Sequence, residues 1–267
     1  PIKAELELIK SSANIAALAI HKHSVQDELK NYAAELERSN KELSDFAYIA
    51  SHDLQEPLRK ISIFSDRLLV TDNSFNETQK SYLGRMGKAA NRMQTLIEDL
   101  LELSQVTTKG EPFEKVDLGK IALEVIEDLD AKLQTTQGKV TLGKLPRIEA
   151  DPFQMRQLLQ NLIENALKYH KVDTPPQVLL DSSFTIKTGW TINVKDNGIG
   201  LNEKFAERIF IPLERLHGMS AYEGTGIGLA ICKKIISRHG GSIFVKSQEG
   251  QGSTFTFTLP EIQSPVH

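Results

Sequence analysis

Residues 51–58 read Ser-His-Asp-Leu-Gln-Glu-Pro-Leu, and they lie inside a long apolar pattern that has the period of an α-helix. His52 falls off the apolar face of this pattern and is therefore expected to point to solvent. A neutral imidazole is a nitrogen nucleophile near neutral pH. The carboxylate of Asp53 can hold the ring in the tautomer that leaves one nitrogen free to react. The sequence therefore predicts an exposed, reactive histidine on a helix.

The chain before this stretch is predicted to form a coiled-coil signalling helix over residues 1–44. Its apolar heptad repeat has weak points at Lys22 and Ser39 and runs without a break into the His52 helix. We therefore favour a parallel dimeric connector over the simpler alternative of one helix packed on its own domain. The heptad positions are Leu8, Ile15, Lys22, Leu29, Leu36, Leu43 and Ala50, with Leu18, Val25, Tyr32 and Phe46 at the companion position.

A second helix is predicted over residues 76–106, after a cluster of turn residues at 71–74. Its apolar residues alternate three and four apart, as the seam of a helical bundle requires. One hairpin of two helices cannot bury both seams, but two hairpins from two chains can form a four-helix bundle. The pattern therefore predicts a homodimer. The seam residues are Tyr82, Met86, Ala89, Met93, Leu96, Leu100 and Leu103.

Beyond a linker at residues 107–112 the pattern becomes mixed α/β. Asp151 and Pro152 supply an N-cap and a first-turn proline to one of its helices. Runs of strands rather than strict βαβ alternation predict an α/β sandwich with helices on one face. Helices are predicted over 118–133, 152–169 and 228–239, and strands over 177–181, 190–195, 242–247 and 254–259, the last two as a hairpin.

The predicted fold class is thus α+β, with a helical hairpin that forms a dimeric four-helix bundle and then an α/β sandwich. The predicted domains are residues 1–44, 45–107 and 113–260.

Three polar or glycine-rich motifs lie in the second half of the chain. Residues 161–165 read Asn-Leu-Ile-Glu-Asn, residues 196–200 read Asp-Asn-Gly-Ile-Gly, and residues 224–228 read Gly-Thr-Gly-Ile-Gly. Taken singly they have ordinary explanations, such as helix exposure or a turn. The third motif does not have the glycine spacing of a dinucleotide-binding fingerprint, and residues 138–144 resemble a P-loop that lacks its Ser/Thr.

Together with the His52 motif, these three motifs resemble, in order and spacing, the H, N, G1 and G2 boxes of sensor histidine kinases, with a phytochrome-like H box. The resemblance covers residues 45–260. It implies that a GHKL-type ATP-binding domain, of the fold shared with DNA gyrase, MutL-type proteins and heat-shock chaperones, phosphorylates His52 from Mg²⁺-bound ATP. The phosphoryl group would then pass to an aspartate on the receiver domain of a response regulator.

The resemblance also assigns roles to single residues. Asn165 matches the asparagine that binds Mg²⁺, and Asp196 matches the carboxylate that accepts a hydrogen bond from adenine. Asn161 stands where the related ATPases carry a catalytic glutamate, so water is not activated there. Gly198 and Gly200 are expected to let the backbone approach the base. The remaining candidate nucleotide-binding residues are Lys168, Tyr169, Gly224, Gly226, Gly228 and Thr254, and the candidate catalytic residues are His52, Asp53 and Asn161.

Net charge and composition give no sign of nucleic-acid binding or of a membrane segment. The formal charge of -3 gives no reason to expect nucleic-acid binding, and no apolar run is long enough for a membrane segment. A single cysteine, Cys232, fits a cytoplasmic protein and is expected in the core. His21, His23, His170 and His239 lack the context of His52 and are expected to be ordinary surface histidines.

Two other functions are left open by these patterns. One is an ATP-hydrolysing machine of the gyrase and chaperone kind, against which Asn161 and the His52 helix argue. The other is a dimeric signalling scaffold that binds ATP without transferring its phosphate. Kinases with a similar H box often carry Thr or Asn four residues after the histidine, where it positions the water that dephosphorylates the regulator. Here that position is Glu56, and its negative charge predicts weak or no phosphatase activity toward the regulator.

Overall fold

The structure is a computed structural model that describes scattered positions between 18 and 39, residue 51, and residues 53–69, 75–108, 110–186, 189–214 and 224–260. The chain divides into two compact units, residues 1–49 and 50–267. The described residues of the first unit are helical and exposed, among them Leu18, Leu29 and Tyr32 of the predicted heptad pattern. Most of the predicted coiled coil lies outside the described residues, and the three domain boundaries stay a prediction.

The second unit begins with two helices and continues as an α/β sandwich. Helix α1 covers residues 53–69 and is followed by α2, Glu77–Thr108. The other helices are α3 (Leu118–Asp128), α4 (Asp130–Thr136), α5 (Pro152–Lys168) and α6 (Gly228–Arg238). The strands are β1 (Glu114–Asp117), β2 (Lys139–Leu142), β3 (Arg147–Ala150), β4 (Gln177–Thr185), β5 (Gly189–Asp196), β6 (Ile243–Gln248) and β7 (Gly252–Leu259). Within the described residues, no helix is both long and apolar enough to cross a bilayer.

Five strands form one sheet in the order β2-β4-β5-β7-β6, and β1 pairs with β3 in a separate two-stranded ladder. Only β2 and β4 pair in parallel within the large sheet, and its other ladders are antiparallel. The side chains of α3, α5 and α6 form one buried core with alternate residues of this sheet, such as Val194 and Phe257. The predicted sandwich with helices on one face is thus confirmed.

Local sequence signals explain where the core helices begin. Asp117 caps α3 by accepting from the N–H groups of Gly119 and Lys120, and Asp151 caps α5 in the same way. Pro152 then opens α5, where a missing N–H costs nothing. The inward residues of α5 that follow at helical spacing are fully buried: Met155, Leu158, Leu159, Leu162 and Ile163.

Helices α1 and α2 bury small residues and expose large apolar ones. The Ser62 hydroxyl donates to Asn91 Oδ1 at 2.7 Å, and Ser65 and Ala90 are also buried. Phe64 is 58% exposed and Met86 is 54% exposed in the single chain. The other exposed apolar residues of the pair include Leu54, Ile61, Leu68, Tyr82, Met93 and Leu100. The hairpin therefore leaves a continuous apolar surface without a partner in one chain.

The structure differs from the sequence prediction in three local features. The helix predicted over 118–133 is interrupted at Leu129, which separates α3 from α4. Helix α2 extends through Thr108 into the predicted linker. The strands β1, β2 and β3 were not predicted, and the stretch that resembled a P-loop contains β2. Each of these strands has only four residues, too few for alternation to be distinguished from chance.

His239 is buried, so its prediction as a surface histidine is wrong. It is 1% exposed, and its ring stacks on Phe113 with centroids 4.5 Å apart. Nε2 accepts from the N–H of Asp151 at 3.1 Å, and Nδ1 lies 2.8 Å from the carbonyl of Ile235. One nitrogen therefore donates and the other accepts, which only a neutral imidazole can do. Burial is the main cause that lowers the pKa of His239.

Arg238, at the end of α6, connects the segment before β1 to the start of α5. Its guanidinium donates to Asp151 Oδ2 at 2.9 Å and to the carbonyl of Glu111 at 2.8 Å. The N–H of Glu111 in turn donates to the same Asp151 carboxylate at 2.7 Å. The start of α5, the end of α6 and the segment before β1 are thus joined in one partly buried network.

We predict that the folded chain loses stability at acid pH because His239 must be neutral in it. Because the pKa of His239 is lowered in the folded chain, the unfolded state binds a proton first as the pH falls below about 6.5. The free energy of unfolding should then fall, by at most about 1.4 kcal/mol per pH unit for one proton. Denaturant unfolding of the wild type and of His239→Gln at pH 7.5 and pH 5.5 measures the effect. An equal pH dependence in the two proteins would contradict the assignment to His239.

Candidate functional site

The polar face of α5 carries four of the predicted site residues. Asn161, Asn165 and Lys168 lie three or four residues apart along one side of α5, next to its buried stripe, and Tyr169 follows the last turn. All four are half-buried. Among the described residues, no side-chain hydrogen bond is formed by Asn165, so its amide oxygen is available to a ligand.

Asn161 is engaged by the neighbouring helix α6. Its Oδ1 lies 3.2 Å from where a Cβ would stand at Gly228, and its side chain lies beside Cys232, whose thiol donates to the Leu158 carbonyl at 4.0 Å. Cys232 is fully buried, as predicted, and this burial raises the pKa of its thiol to about 12. Asn161 therefore has a packing role between α5 and α6, next to the third glycine of the 224–228 motif.

The C-terminal end of α5 is the place where both glycine motifs meet. The carbonyl of Tyr169 accepts the N–H of Ile199 at 2.9 Å. On the other side, the ammonium of Lys168 lies 2.8 Å from where a Cβ would stand at Gly224. Lys168 also donates to the hydroxyl of Tyr169 at 2.9 Å. Motifs that are 28 residues apart in the sequence, at 196–200 and 224–228, thus border one short stretch of helix.

Asp196 is held at the end of β5 with one oxygen occupied. Its carboxylate is 8% exposed, and Oδ1 accepts the N–H groups of Gly198 at 2.8 Å and Ser253 at 3.1 Å. Within the described residues no bond to Oδ2 is found, which leaves that atom for a ligand. Burial raises the pKa of Asp196, while the two N–H bonds act in the opposite direction.

The glycines near Asp196 make room for protein backbone. A Cβ at Gly198 would lie 2.3 Å from the carbonyl oxygen of Tyr169, and one at Gly200 would lie 2.0 Å from that of Gln248. Gly252 has a φ of 93°, and its Cβ would meet the Asp196 carbonyl at 2.1 Å. Gly200 also has a positive φ, of 65°. The expected approach of Gly198 and Gly200 to a base stays a prediction, whereas their approach to neighbouring backbone is evident.

Glycines 224 and 226 form a strip that leads into α6. Gly224 has a φ of 136° and Gly226 a φ of 82°, backbone conformations that side chains rarely allow. Thr225 lies between them, and its hydroxyl accepts the N–H of Ile227 at 3.4 Å. The same hydroxyl donates to the carboxylate of Asp99 on α2. The strip is thus held by a side chain from the helical hairpin, a contact that the sequence did not predict.

Thr254 lies apart from the other site residues. Its neighbours Phe255 and Ser253 alternate with it along β7, and Phe255 belongs to the core on the helix side of the sheet. Thr254 therefore stands on the outer face, where it borders an open depression with Lys195 and Lys246. Ser253 occupies the helix side and donates its N–H to Asp196. Ser253 is the residue that the sequence analysis missed, and the alternation of β7 was the available signal.

The histidine motif is described only in part, because His52 lies outside the described residues. Asp53 is exposed on α1. Glu56 is also exposed and forms an ion pair of 2.7 Å with Lys60, one turn further along α1. This pair offsets part of the Glu56 charge. Ile209 and Phe210 are buried, whereas residues 215–223 lie outside the described part of the chain.

Comparison with known proteins identifies the two parts of the chain. A family model described as "His Kinase A (phospho-acceptor) domain" matches residues 42–109. A second, described as "Histidine kinase-, DNA gyrase B-, and HSP90-like ATPase", matches residues 150–263. The chain belongs to the sensor histidine kinases. The resemblance and the predicted helical hairpin followed by an α/β sandwich are thus confirmed, whereas the dimeric bundle stays a prediction.

The chain is similar in sequence to part of two cyanobacterial phytochrome proteins. It is 39% identical over 260 residues to cyanobacterial phytochrome A of Nostoc sp., covering 97% of this chain and 33% of the relative. It is 38% identical over 252 residues to the phytochrome-like protein Cph1 of Synechocystis sp., covering 92% of this chain and 33% of that protein. The chain thus spans about a third of the length of these relatives.

Solved structures agree with the fold. The crystal structure of histidine kinase ThkA in complex with response regulator protein TrrA has a TM-score of 0.57 and 25% identity. That match covers 86% of this chain and 66% of the other. Full-length ShkA in complex with AMPPNP has a TM-score of 0.62 at 23% identity, and the match covers 83% of this chain and 47% of the other.

We predict that Gly198→Ala disrupts the junction at the end of α5. The new methyl group would have to displace the Tyr169 carbonyl, which accepts the Ile199 N–H. Denaturant unfolding should show a loss of about 1–3 kcal/mol, typical of overpacking. Gly84→Ala on α2 is the control, because nothing lies within 4 Å of the Cβ that it would add and alanine favours a helix. Equal stability of the two variants would contradict the prediction.

Proposed function

We propose that this chain is the catalytic core of a histidine kinase that transfers the γ-phosphoryl group of ATP to His52. The phosphoryl group then passes to an aspartate on a response-regulator receiver domain. The observation that carries the proposal is the junction at the end of α5, where Lys168, the Gly224–Gly228 strip and the Asp196 turn meet. One cation and one buried carboxylate are placed there together with a strip of glycines.

Each part of the junction has a role in binding ATP. Asp196 Oδ2 accepts the amino group of adenine, since Oδ1 is already occupied by backbone N–H groups. Lys168 offsets phosphate charge beside the Gly224 strip. Backbone N–H groups at the start of α6 face the phosphates, as helix N-termini commonly do.

Asn165 is the residue that holds Mg²⁺ in this proposal. No cluster of three or more acidic, histidine or cysteine side chains that could hold a metal occurs in the described residues. A single half-buried amide oxygen fits Mg²⁺, which takes its other ligands from phosphate and water. When bound, the ion neutralises charge on the phosphates during transfer.

The transfer step uses the imidazole of His52 as nucleophile. A ring nitrogen forms a bond to the γ-phosphorus while the bond from that phosphorus to the bridging oxygen breaks, and the electron pair leaves with ADP. The other ring nitrogen carries a proton, which is released after transfer. Asp53, directly after His52, stabilises the charge that develops on the ring.

The chain acts as a homodimer in this proposal. The exposed apolar surface of α1 and α2 would be buried in a four-helix bundle formed with a second copy. A receiver domain is the proposed acceptor, because phosphohistidine is a high-energy phosphoryl donor and an aspartate carboxylate can accept the phosphoryl group. The reaction is placed in the cytoplasm, where ATP is available.

The labelling of His52 tests the proposed function. Incubation with ATP labelled at the γ-phosphate should give base-stable, acid-labile label on the wild type and none on His52→Gln. His21→Gln, which changes a histidine that is helical and exposed, should keep the full label. Release of free phosphate without label would instead identify an ATPase, and neither product would identify a scaffold. Label on a histidine of His52→Gln would contradict the assignment.

Asp196→Asn separates nucleotide recognition from stability. The asparagine retains an oxygen for the N–H groups of Gly198 and Ser253 but presents an NH₂ group in place of Oδ2. An unmatched buried polar group costs about 1–3 kcal/mol, so calorimetry should show affinity for ATP falling about 5- to 150-fold. Asp196→Ala, which loses the internal bonds as well, should also unfold at lower denaturant. Unchanged affinity in Asp196→Asn would remove Asp196 from the adenine site.

A further inference from the structure

The strip between Gly224 and Gly226 contacts the helical hairpin through one side chain. Thr225 is flanked by two glycines with positive φ, so its own side chain is the means of fixing the strip. Its hydroxyl donates to Asp99 of α2 across 126 residues of sequence. The ammonium of Lys168 lies near Gly224, at the start of the strip. The strip therefore borders both a cation of α5 and a carboxylate of α2.

Asp99 is brought to the strip because the C-terminal half of α2 packs on the catalytic domain. Val106 of α2 is buried in the core of that domain, and its carbonyl accepts the side-chain amide of Gln154 at 2.7 Å. The ammonium of Lys234 on α6 donates to the carbonyl of Leu103 at 2.7 Å. Gln157 donates to Glu102 at 2.6 Å. These contacts define a docked arrangement of α2 on α5 and α6.

The charge around Asp99 is unbalanced in the docked arrangement. Desolvation raises its pKa, the charge of Glu98 raises it further, and the Thr225 hydroxyl acts in the opposite direction. Desolvation and the charge of Asp99 likewise raise the pKa of Glu102. Among the ion pairs of the described residues, none includes Asp99. A triphosphate next to this strip would add further negative charge to the same place.

We propose that the contact between Asp99 and Thr225 is an autoinhibitory latch that weakens nucleotide binding while α2 is docked. The proposal rests on the proposed function, because it takes the strip as the phosphate side of the ATP site. The latch fixes the strip toward α2, and the Asp99 charge disfavours phosphate beside it. Binding of ATP and docking of α2 therefore oppose each other, and by linkage each weakens the other by the same factor.

Asp99→Asn weakens the latch with little change of shape, because it removes the charge and leaves only a neutral amide oxygen to accept the Thr225 hydroxyl. The unsubstituted chain, Asp99→Asn and Glu98→Gln are titrated with a non-hydrolysable ATP analogue in a calorimeter with magnesium present. Glu98→Gln is the matched control, since it removes the same charge one residue away. The Glu98 carboxylate accepts from the Gln94 amide instead of from Thr225. Asp99→Asn should bind the analogue about 5-fold or more tighter than the wild type, within the usual range of coupling between sites. Glu98→Gln should change the affinity less than about 2-fold.

The second measurement is the initial rate of His52 labelling. Opening a latch raises the population that can bind, so Asp99→Asn should label faster at low ATP and equally fast at saturating ATP. Equal affinities of Asp99→Asn and Glu98→Gln would overturn the latch. A lower rate of Asp99→Asn at saturating ATP would also overturn it, because the contact would then belong to the productive arrangement. Absence of analogue binding in all three proteins would overturn the proposed function as well as the latch.

Discussion

The close approach of three backbone segments around Asp196 is the constraint on which the rest of the site depends. The end of β5, the end of α5 and the turn between β6 and β7 come within carbonyl contact of one another only because glycines stand at 198, 200 and 252. Any side chain there would force the segments apart. The Asp196 carboxylate is closed into this junction, where two backbone N–H groups fix its orientation. A ligand therefore meets an oxygen whose position was set when the chain folded.

This constraint explains why the site sits at one end of α5. The buried stripe of α5 anchors the helix to the sheet, so its last turn cannot shift without disturbing the core. Tyr169 joins that turn to the Asp196 loop through its carbonyl, while Lys168 reaches the glycine strip. The end of α5 thus positions both the adenine side and the phosphate side of the proposed ATP site. The distance between the two sides is set by Lys168 and Tyr169, which are adjacent in the sequence.

The features that could be predicted from the sequence are those with local signals. Asp151 and Pro152 marked the start of α5, and the glycine-rich turn marked the β6–β7 hairpin. The break at Leu129 has no glycine or proline to announce it. His239 is buried by Phe113 and Asp151, which lie 126 and 88 residues away in the sequence, and no local pattern reveals such contacts. The role of Thr254 stays a prediction, because hydroxyl residues occur on both faces of β7.

The neighbours Ser253 and Thr254 show why the side of the sheet that a residue faces depends on how its strand pairs with the next one. Hydroxyl residues occur on both faces of β7, so composition alone does not decide which one points to the site. The pairing of Ser247 with Ser253 places that residue on the helix side, and a shift by one residue would exchange the faces.

Helix α2 gives the phosphoacceptor hairpin a physical route to the nucleotide site. It is one continuous helix from Glu77 to Thr108, so it connects the hairpin to the ATP-binding domain without a break. Near its middle Ala90 and Asn91 face α1 through small buried residues, and near its end Val106 is part of the catalytic core. Asp99 lies between these contacts and reaches Thr225 of the strip. A rotation of the whole helix would therefore change the position of Asp99 relative to the strip. Because packed interfaces tend to adopt discrete arrangements, a small rotation of α2 would exchange one set of contacts for another. Release of Thr225 by such a rotation would therefore be a step rather than a gradual weakening.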